Sequence, residues 1–212
     1  LHVMRAKPND LIEVVDNSSL YLCKAISVSP LKIIVQEPIK QDVELKKDLT
    51  LFFALSKGEK IEFVLQKATE IGAKRIVLLK TKRSVVKLTD EDFKRKLPRY
   101  QTIVKEASEQ SHRLVIPEII GVVDINKIPS SLLADINYIA YEDVKNDKPD
   151  LSIPESCKSV SICIGSEGGF ESIEVEALKS IGFKTVSLGK RILRAETAAV
   201  YSLSVISYLL EQ

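Results

Sequence analysis

Two glycine-containing segments near the C-terminus hold the residues best suited to binding a ligand. Residues 162–170 run from an apolar stretch into a loop with three glycines, and residues 188–198 repeat this arrangement with one glycine. Each segment predicts a strand, a loop and the start of a helix, so the two strand ends should lie side by side at the carboxyl edge of a parallel sheet, where ligands bind. Glycine lets the backbone approach a ligand because it has no Cβ. The pattern predicts a site for a small nucleoside-like cofactor.

Alternating strands and helices are predicted beyond residue 50. The predicted strands are residues 51–55, 75–79, 137–141, 160–164 and 184–188, and the predicted helices are residues 60–71, 98–111, 172–181 and 196–210. Pro98 should lie in the first turn of the second helix, and Ser172 should be the N-cap of the third. This alternation is typical of an α/β fold with a largely parallel sheet.

Residues 1–45 have a different pattern. Three short β-rich runs, residues 11–15, 20–26 and 31–35, are separated by turn-forming residues. They predict a small β-barrel or meander. We therefore expect two domains, residues 1–45 and residues 46–212.

The composition limits the classes of protein. Of the 212 residues, 45% are hydrophobic, and the formal net charge is +2, which suits one large or two small globular domains. No apolar run approaches the roughly 20 residues that a membrane span requires, so we expect no membrane association. The three cysteines, Cys23, Cys157 and Cys163, lie in or beside apolar stretches, which predicts reduced thiols in a cytoplasmic protein. With two histidines and no paired cysteine motif, we expect no metal site.

Charged residues close to the two glycine segments have competing interpretations. A cation is disfavoured at a helix N-terminus, so Arg194 is assigned to substrate or to a cofactor carboxylate. Glu196 suits the same helix start for structural reasons alone. Glu167 either contacts the ribose or substrate, or caps the helix that follows it. Arg113 follows the helix 98–111, where a cation favours the helix dipole in any case.

Nucleic-acid binding would have to come from local basic clusters, since the net charge is close to zero. The clusters are residues 80–84, residues 94–96 with Arg99, and Arg5 with Lys7. Hydroxyls among cations suit phosphate contacts. A solvated charged face is the competing interpretation, above all for residues 94–96.

Several separate motifs, in order along the chain, resemble one family. They are residues 66–72 (Gln-Lys-Ala-Thr-Glu-Ile-Gly), Arg83-Ser84, residues 106–111 with Arg113 and Pro117, residues 164–170 and residues 188–198. The chain resembles the 16S ribosomal RNA uridine-N3 methyltransferases (the RsmE type) of the SPOUT superfamily. Residues 2–5 resemble the end of the family's first conserved segment, which implies that residues ahead of Leu1 are missing.

The resemblance implies an architecture and an activity. It implies a PUA-like β-barrel for RNA in residues 1–45 and, in residues 46–212, a parallel-sheet methyltransferase domain with a trefoil knot near its C-terminus. The knot loops would bind S-adenosylmethionine, and two subunits would form a homodimer with the active site at their interface. The implied reaction is methylation of N3 of a specific uridine in 16S rRNA of the small ribosomal subunit.

The resemblance also assigns residues. Cofactor binding falls to Ile164, Gly165, Glu167, Gly168, Gly169, Leu188, Gly189, Ile192, Leu193, Arg194, Ala195, Thr197 and Ala198. Catalysis is assigned to Arg194, Arg113 and Glu196. RNA binding is assigned to Arg5, Lys7, Lys82, Arg83, Ser84, Gln110, Ser111 and Arg113.

Two residues depart from the family pattern. Ser166 stands where the family usually has proline, which removes a φ restraint and should loosen the loop. Ala195 stands where the family usually has threonine, which removes a hydroxyl near the cofactor and should weaken its binding.

Two alternatives stay open. A related SPOUT enzyme would methylate another RNA, such as a ribose 2′-hydroxyl of tRNA, although the motifs at 66–72 and 106–113 favour the uridine-N3 family. A non-catalytic RNA-binding or ribosome-assembly protein would keep a vestigial cofactor site, and Ser166 and Ala195 favour it slightly. Affinity for S-adenosylmethionine separates an enzyme from a binding module.

Overall fold

The chain divides into two compact units, Leu1–Glu44 and Leu45–Gln212, and the computed structural model describes residues 7–84, 86–141 and 151–212. The first unit contains an antiparallel meander of three strands, β1 (Leu11–Asp16), β2 (Ser19–Val28) and β3 (Leu31–Ile39). Asn17 and Ser18 both have positive φ between β1 and β2, as a two-residue hairpin turn requires. The three predicted strands form, and β2 and β3 are longer than predicted.

The second unit contains a six-stranded sheet in which every neighbouring pair is parallel. Its strands are β4 (Asp48–Ala54), β5 (Arg75–Lys80), β6 (Glu118–Asp124), β7 (Ile136–Ala140), β8 (Ser159–Ile164) and β9 (Phe183–Val186). Its helices are α1 (Gly58–Glu70), α2 (Asp90–Gln110), α3 (Ser172–Ser180) and α4 (Ala195–Glu211). The prediction of an α/β fold with a parallel sheet is confirmed.

Both faces of this sheet are covered. On one face, Leu51 and Phe53 pack with residues of α1, α2 and α4; on the other, Phe52 packs with residues of α3. All three side chains are fully buried. Burial on both faces explains why β4 is a continuous apolar run instead of an alternating one.

The strand order is β6-β5-β4-β8-β7-β9, so β8 lies between β4 and β7. The sequence prediction placed the strands of the two glycine segments side by side, which is wrong, because β7 separates β8 from β9. Hydrophobic periodicity identifies strands but carries no information on which strands pair. The carboxyl ends of β7, β8 and β9 still meet at one edge, as in any parallel sheet.

Two helix starts differ from the predictions. Helix α2 begins at Asp90, with Pro98 inside it, because Thr89 and Asp92 form a capping box ahead of it. Helix α3 is capped by Glu171 and not by Ser172, through a reciprocal pair of hydrogen bonds with Glu174. None of the described helices has both the length and the apolar character that crossing a membrane demands.

Arg113 lies at the amino edge of the sheet. The residue is only 6% exposed, and its Nη1 donates hydrogen bonds to the carbonyls of Thr69 (2.9 Å) and Ala73 (2.7 Å). Ala73 leads into β5, so these carbonyls connect the end of α1 to the start of that strand. This edge is opposite to the one at which the glycine segments follow their strands. These contacts give Arg113 a structural role, and the roles in catalysis and RNA binding that the resemblance assigns to it stay predictions.

We expect Arg113→Met to lower the free energy of unfolding by about 2–4 kcal/mol, because it keeps the apolar stem but leaves buried carbonyls without their charged donor. Urea unfolding of the full chain measures this. The control is Arg95→Met, since Arg95 is an exposed partner of Asp92 on α2, and we expect a change within about 0.5 kcal/mol. Equal losses in the two variants would contradict the role given to Arg113.

Candidate active site

A cavity of about 410 Å³ opens at the carboxyl edge of the sheet. It is lined by residues 140–141, 164–170, 187–195 and Ala198, which follow β7, β8 and β9 and include the start of α4. Cavities of this size and position bind small molecules in open α/β proteins.

The cavity brings together the residues predicted to bind a cofactor, except one. The lining includes Ile164, Gly165, Glu167, Gly168, Gly169, Leu188, Gly189, Ile192, Leu193, Arg194, Ala195 and Ala198. Thr197 is exposed in the first turn of α4 and does not line the cavity. Ala195, which departs from the family pattern, is buried as the first residue of α4 and lines the cavity.

Sequence reasoning missed part of this lining. Ala140 and Tyr141 follow β7, and Ser187, Lys190 and Arg191 lie within or next to the second glycine segment. Residues 137–141 were predicted as a strand, and strands of a parallel sheet end at a common edge. The end of that strand was therefore a usable indication, although no motif marks Tyr141.

The first glycine segment folds back on itself. The amide of Gly169, which has a φ of +67°, donates to the carbonyl of Ser166 at 2.9 Å. A Cβ at Gly165 would lie 3.2 Å from the Gly169 backbone, and a Cβ at Gly168 would lie 3.0 Å from the Cβ of Arg83. Larger residues at these two positions would therefore displace the turn.

Gly189 is needed for a different reason. Its φ is +106°, and a Cβ built on it would meet no atom within 4 Å. Since Gly189 lines the cavity, that open space is where a ligand would approach the backbone.

Ser166 joins the first glycine segment to the loop after β5. Its buried hydroxyl donates to the carbonyl of Arg83 at 3.1 Å, and Nη1 of Arg83 donates to the carbonyl of Gly168 at 2.9 Å. The serine that replaces the family's proline thus makes a hydrogen bond that proline lacks the hydroxyl to form. This hydrogen bond ties the loop to Arg83 at the position where the φ restraint of proline is missing.

The predicted RNA-binding residues 82–84 form part of the support for the cavity. The amide of Lys82 donates to the buried carboxylate of Glu174 at 2.8 Å. The ammonium of Lys82 lies 3.1 Å from Oε2 of Glu171. The hydroxyl of Ser84 is 2.8 Å from that of Thr81. Lys82 and Arg83 remain exposed, so these contacts leave surface for a phosphate.

Gln110 and Ser111, two more of the predicted RNA-binding residues, do not line the cavity. Gln110 and Ser111 end helix α2, and the hydroxyl of Ser111 donates to the carbonyl of Ala107 at 2.7 Å. Lys7 belongs to the first unit and is exposed. Arg5 lies outside the described residues.

An ionic cluster lies beside the cavity. The ammonium of Lys60, in the first turn of α1, is 2.8 Å from Oε1 of Glu167 and 3.3 Å from Oε2 of Glu196. Glu167 thus pairs with Lys60 and does not cap α3. Glu196, predicted to be catalytic, does not line the cavity and instead contributes its charge to this cluster.

The cluster alters the protonation of its members. The hydrogen bond to Glu167 raises the pKa of Lys60 above its usual value, against the opposing effect of burial. Burial alone would raise the pKa of Glu167, but the hydrogen bond from Lys60, a backbone hydrogen bond and the charges of Lys60 and Lys57 hold that pKa below its usual value. Lys60 and Glu167 are therefore both charged at neutral pH. Sequence reasoning missed Lys60, although a cation in the first turn of a helix was an indication.

Arg194 and Arg191 lie at the mouth of the cavity and are exposed. Arg194 occupies the N-cap position of α4, where its carbonyl accepts a hydrogen bond from the amide of Ala198 at 2.8 Å. Within residues 7–84, 86–141 and 151–212, neither guanidinium has a carboxylate within ion-pair distance. Both cations are therefore available to an anionic ligand.

The described lining contains neither histidine nor cysteine, and no metal-binding group of His, Cys, Asp and Glu is found among the described residues. Cys163, fully buried in β8, is not a nucleophile because burial raises the pKa of its thiol far above the usual value. The arrangement suits a site that binds and orients a reactive small molecule, with cations available for developing negative charge.

The chain is similar to RNA methyltransferases along most of its length. A family model described as an RNA methyltransferase domain matches residues 43–207. Two curated relatives, both named ribosomal RNA small subunit methyltransferase E, come from Mesomycoplasma hyopneumoniae (strain 232) and Bacillus subtilis (strain 168). The first is 34% identical and covers 96% of this chain and 88% of the relative. The second is 35% identical and covers 100% and 86%.

Solved structures agree with this similarity. A methyltransferase from Legionella pneumophila in complex with the cofactor SAM has a TM-score of 0.88 at 28% identity, over 98% of this chain and 86% of that one. The ribosomal RNA small subunit methyltransferase E of Neisseria gonorrhoeae, bound to S-adenosyl methionine, has a TM-score of 0.85 at 27% identity, over 99% and 87%. The chain belongs to the ribosomal RNA small subunit methyltransferase E family of RNA methyltransferases.

Proposed function

We propose that this protein transfers a methyl group from S-adenosylmethionine to 16S rRNA of the small ribosomal subunit. The observation that carries the proposal is the cavity at the carboxyl edge of the sheet, formed by both glycine segments. It occurs in a chain whose relatives are named ribosomal RNA small subunit methyltransferase E. Both glycine segments line this one cavity, so a single binding site explains both.

The residues of the cavity fit S-adenosylmethionine. Gly189 leaves space beside the backbone, and a Cβ at Gly165 or Gly168 would be in tight contact with its neighbours. Ile164, Leu188 and Leu193 give apolar surface for an adenine ring. When bound, the cofactor supplies an activated methyl group on a sulfonium.

The finer proposal is that the acceptor is N3 of a specific uridine. The motifs at residues 66–72 and 106–113 support this choice through the family resemblance. Uridine N3 carries a proton at neutral pH, which must pass to a base or to solvent as the methyl group is transferred, so the reaction gains from a base or from a cation that stabilises the developing anion. Arg194 is our candidate for that cation because it is exposed at the mouth of the cavity and has no partner carboxylate among the described residues.

We also propose the architecture that the family resemblance implies. The antiparallel meander of β1 to β3 supports a PUA-like barrel for RNA binding in the first unit. The insertion of β8 between β4 and β7 supports a trefoil knot, an exception to the usual avoidance of knots. Exposed aromatic side chains on packed neighbouring helices, Phe63 on α1 and Tyr201 and Tyr208 on α4, support a homodimer. Free buried cysteines support a cytoplasmic protein.

The test is transfer of labelled methyl from S-adenosylmethionine to small ribosomal subunits from cells that lack this protein, followed by nucleoside analysis. We expect labelled 3-methyluridine in 16S rRNA. A different labelled nucleoside would contradict the uridine-N3 assignment but keep the enzyme. No label together with no cofactor binding would contradict the whole proposal and favour a non-catalytic RNA-binding protein.

A pair of glycine variants tests the cofactor site. Gly189 and Gly182 have similar positive φ values, +106° and +98°, and a Cβ on either would meet no atom within 4 Å. Only Gly189 lines the cavity. We expect Gly189→Ala and Gly182→Ala to lose similar stability, about 1 kcal/mol. Only Gly189→Ala should weaken S-adenosylmethionine binding, by about tenfold or more, in isothermal titration calorimetry. Normal binding by Gly189→Ala would remove this backbone from the site.

A second test concerns Arg194. We expect Arg194→Ala to lower the single-turnover rate of methyl transfer by about 100-fold at saturating cofactor, because a charge that stabilises the transition state is lost. The unfolding midpoint should barely change, since the side chain is exposed. Lys184→Ala, an exposed cation on β9 away from the lining, is the control and should keep the full rate. An unchanged rate in Arg194→Ala would remove Arg194 from the mechanism.

A further inference from the structure

Lys60 lies beside the cavity, contacts two chain segments next to it and does not itself line it. It lies in the first turn of α1, outside the segments on which the family resemblance was based. Its ammonium contacts Glu167, in the first glycine segment, and Glu196, in the first turn of α4. A single side chain thus touches both chain segments that build the cavity.

The two carboxylates need a cation between them. Glu167 belongs to the first glycine segment and Glu196 to the first turn of α4, and two negative charges held this close would repel each other. Oε2 of Glu196 is buried and has no hydrogen bond to a described residue, so the ammonium 3.3 Å away is its compensating charge. The side chains of Lys60, Glu167 and Glu196 are 28%, 35% and 18% exposed, so water screens these interactions only in part.

We propose that Lys60 is a positioning residue for the cofactor cavity, which links Glu167 of the first glycine segment to Glu196 of α4 and so fixes the spacing of the two walls. This inference rests on the proposed function, because the spacing matters only if the cavity binds S-adenosylmethionine. Lys60 does not line the cavity and would act through Glu167, which does.

Several charged groups face Glu167. Lys60 and Lys57 come from α1 and the residue before it, and Glu196 from α4 shares Lys60. Arg83, from the loop after β5, contacts the neighbouring carbonyl of Gly168. Loss of Lys60 removes the hydrogen bond to Glu167 and leaves Glu196 as an unbalanced negative charge, which Lys57 does not contact within ion-pair distance.

The pH dependence of the link follows from the directions of these pKa shifts. The pKa of Glu167 is depressed. The stability that its ionised carboxylate contributes is therefore present above the usual carboxyl range and is lost as the pH falls through the folded-state pKa. The pKa of Lys60 is raised. The stability that its ammonium contributes is therefore present below the usual lysine range and is lost as the pH rises through the folded-state pKa. The link therefore holds across neutral pH. In Lys60→Met, the acid-side loss of cofactor binding should move to higher pH.

The experiment measures S-adenosylmethionine binding by isothermal titration calorimetry on the full chain, with the unfolding midpoint of each variant beside it. We expect Lys60→Met to raise the Kd about tenfold and Lys60→Arg to restore most of the affinity. Lys179→Met is the matched control: Lys179 is an exposed lysine on α3 that pairs with Glu176 and does not line the cavity. It should bind normally.

A double-mutant cycle shows whether Lys60 acts through Glu167. Glu167→Gln should weaken binding, and adding Lys60→Met to it should cost much less than Lys60→Met alone. If the Kd of Lys60→Met equals that of the wild type, or if the two effects simply add, the inference is overturned. If Lys60→Met does not fold, two other variants decide the same question. Glu196→Gln should then weaken S-adenosylmethionine binding, whereas Lys60→Arg should keep most of the wild-type affinity. A wild-type chain that binds no S-adenosylmethionine overturns the proposed function as well, whereas normal binding by both wild type and Lys60→Met overturns this inference alone.

Discussion

The placement of β8 at the centre of the sheet determines the rest of the site. β8 pairs with β4 along six residue positions and with β7 on its other side, and its residues from Val160 to Ile164 are almost fully buried. Backbone hydrogen bonds on both sides and apolar packing on both faces leave this strand little freedom. The first glycine segment starts where β8 ends, so its position is set by a strand that is paired on both sides and buried on both faces.

Around this fixed point, short-range polar contacts connect three loops that are distant in sequence. Two hydrogen bonds join the loop after β5 to the first glycine segment: Ser166 donates to the carbonyl of Arg83, and Arg83 donates to the carbonyl of Gly168. Glu174 binds the amide of Lys82 with one oxygen and caps α3 with the other. Some residues predicted to contact RNA therefore also hold the backbone around the cavity in place. Their exposed parts remain able to meet a phosphate.

Much of the fold and of the cavity could be predicted from the sequence, because both depend on local patterns. Apolar runs located β4, β5, β7, β8 and β9, and glycine spacing located both walls of the cavity. Strand β6 and the position of β7 between β8 and β9 were missed, since pairing depends on long-range contacts that periodicity does not encode. Lys60 was missed, and the structural contacts of Arg113 were not predicted, for the same reason. The partners of Lys60 lie more than 100 residues away in sequence, and those of Arg113 about 40; in each case a lone cation is equally compatible with a surface, a structural or a catalytic role.

The pairing of β4 with β8 also has a kinetic side. Asp48 pairs with Ser159, so the loop that closes when this ladder forms contains more than half of the chain. Closing so long a loop is entropically costly, and domains rich in such pairings fold slowly. Every segment that lines the cavity lies beyond residue 139. During synthesis, the N-terminal unit and the strands β4 to β6 leave the ribosome while the cavity has no walls, and the ability to bind a cofactor arises only with the last third of the chain.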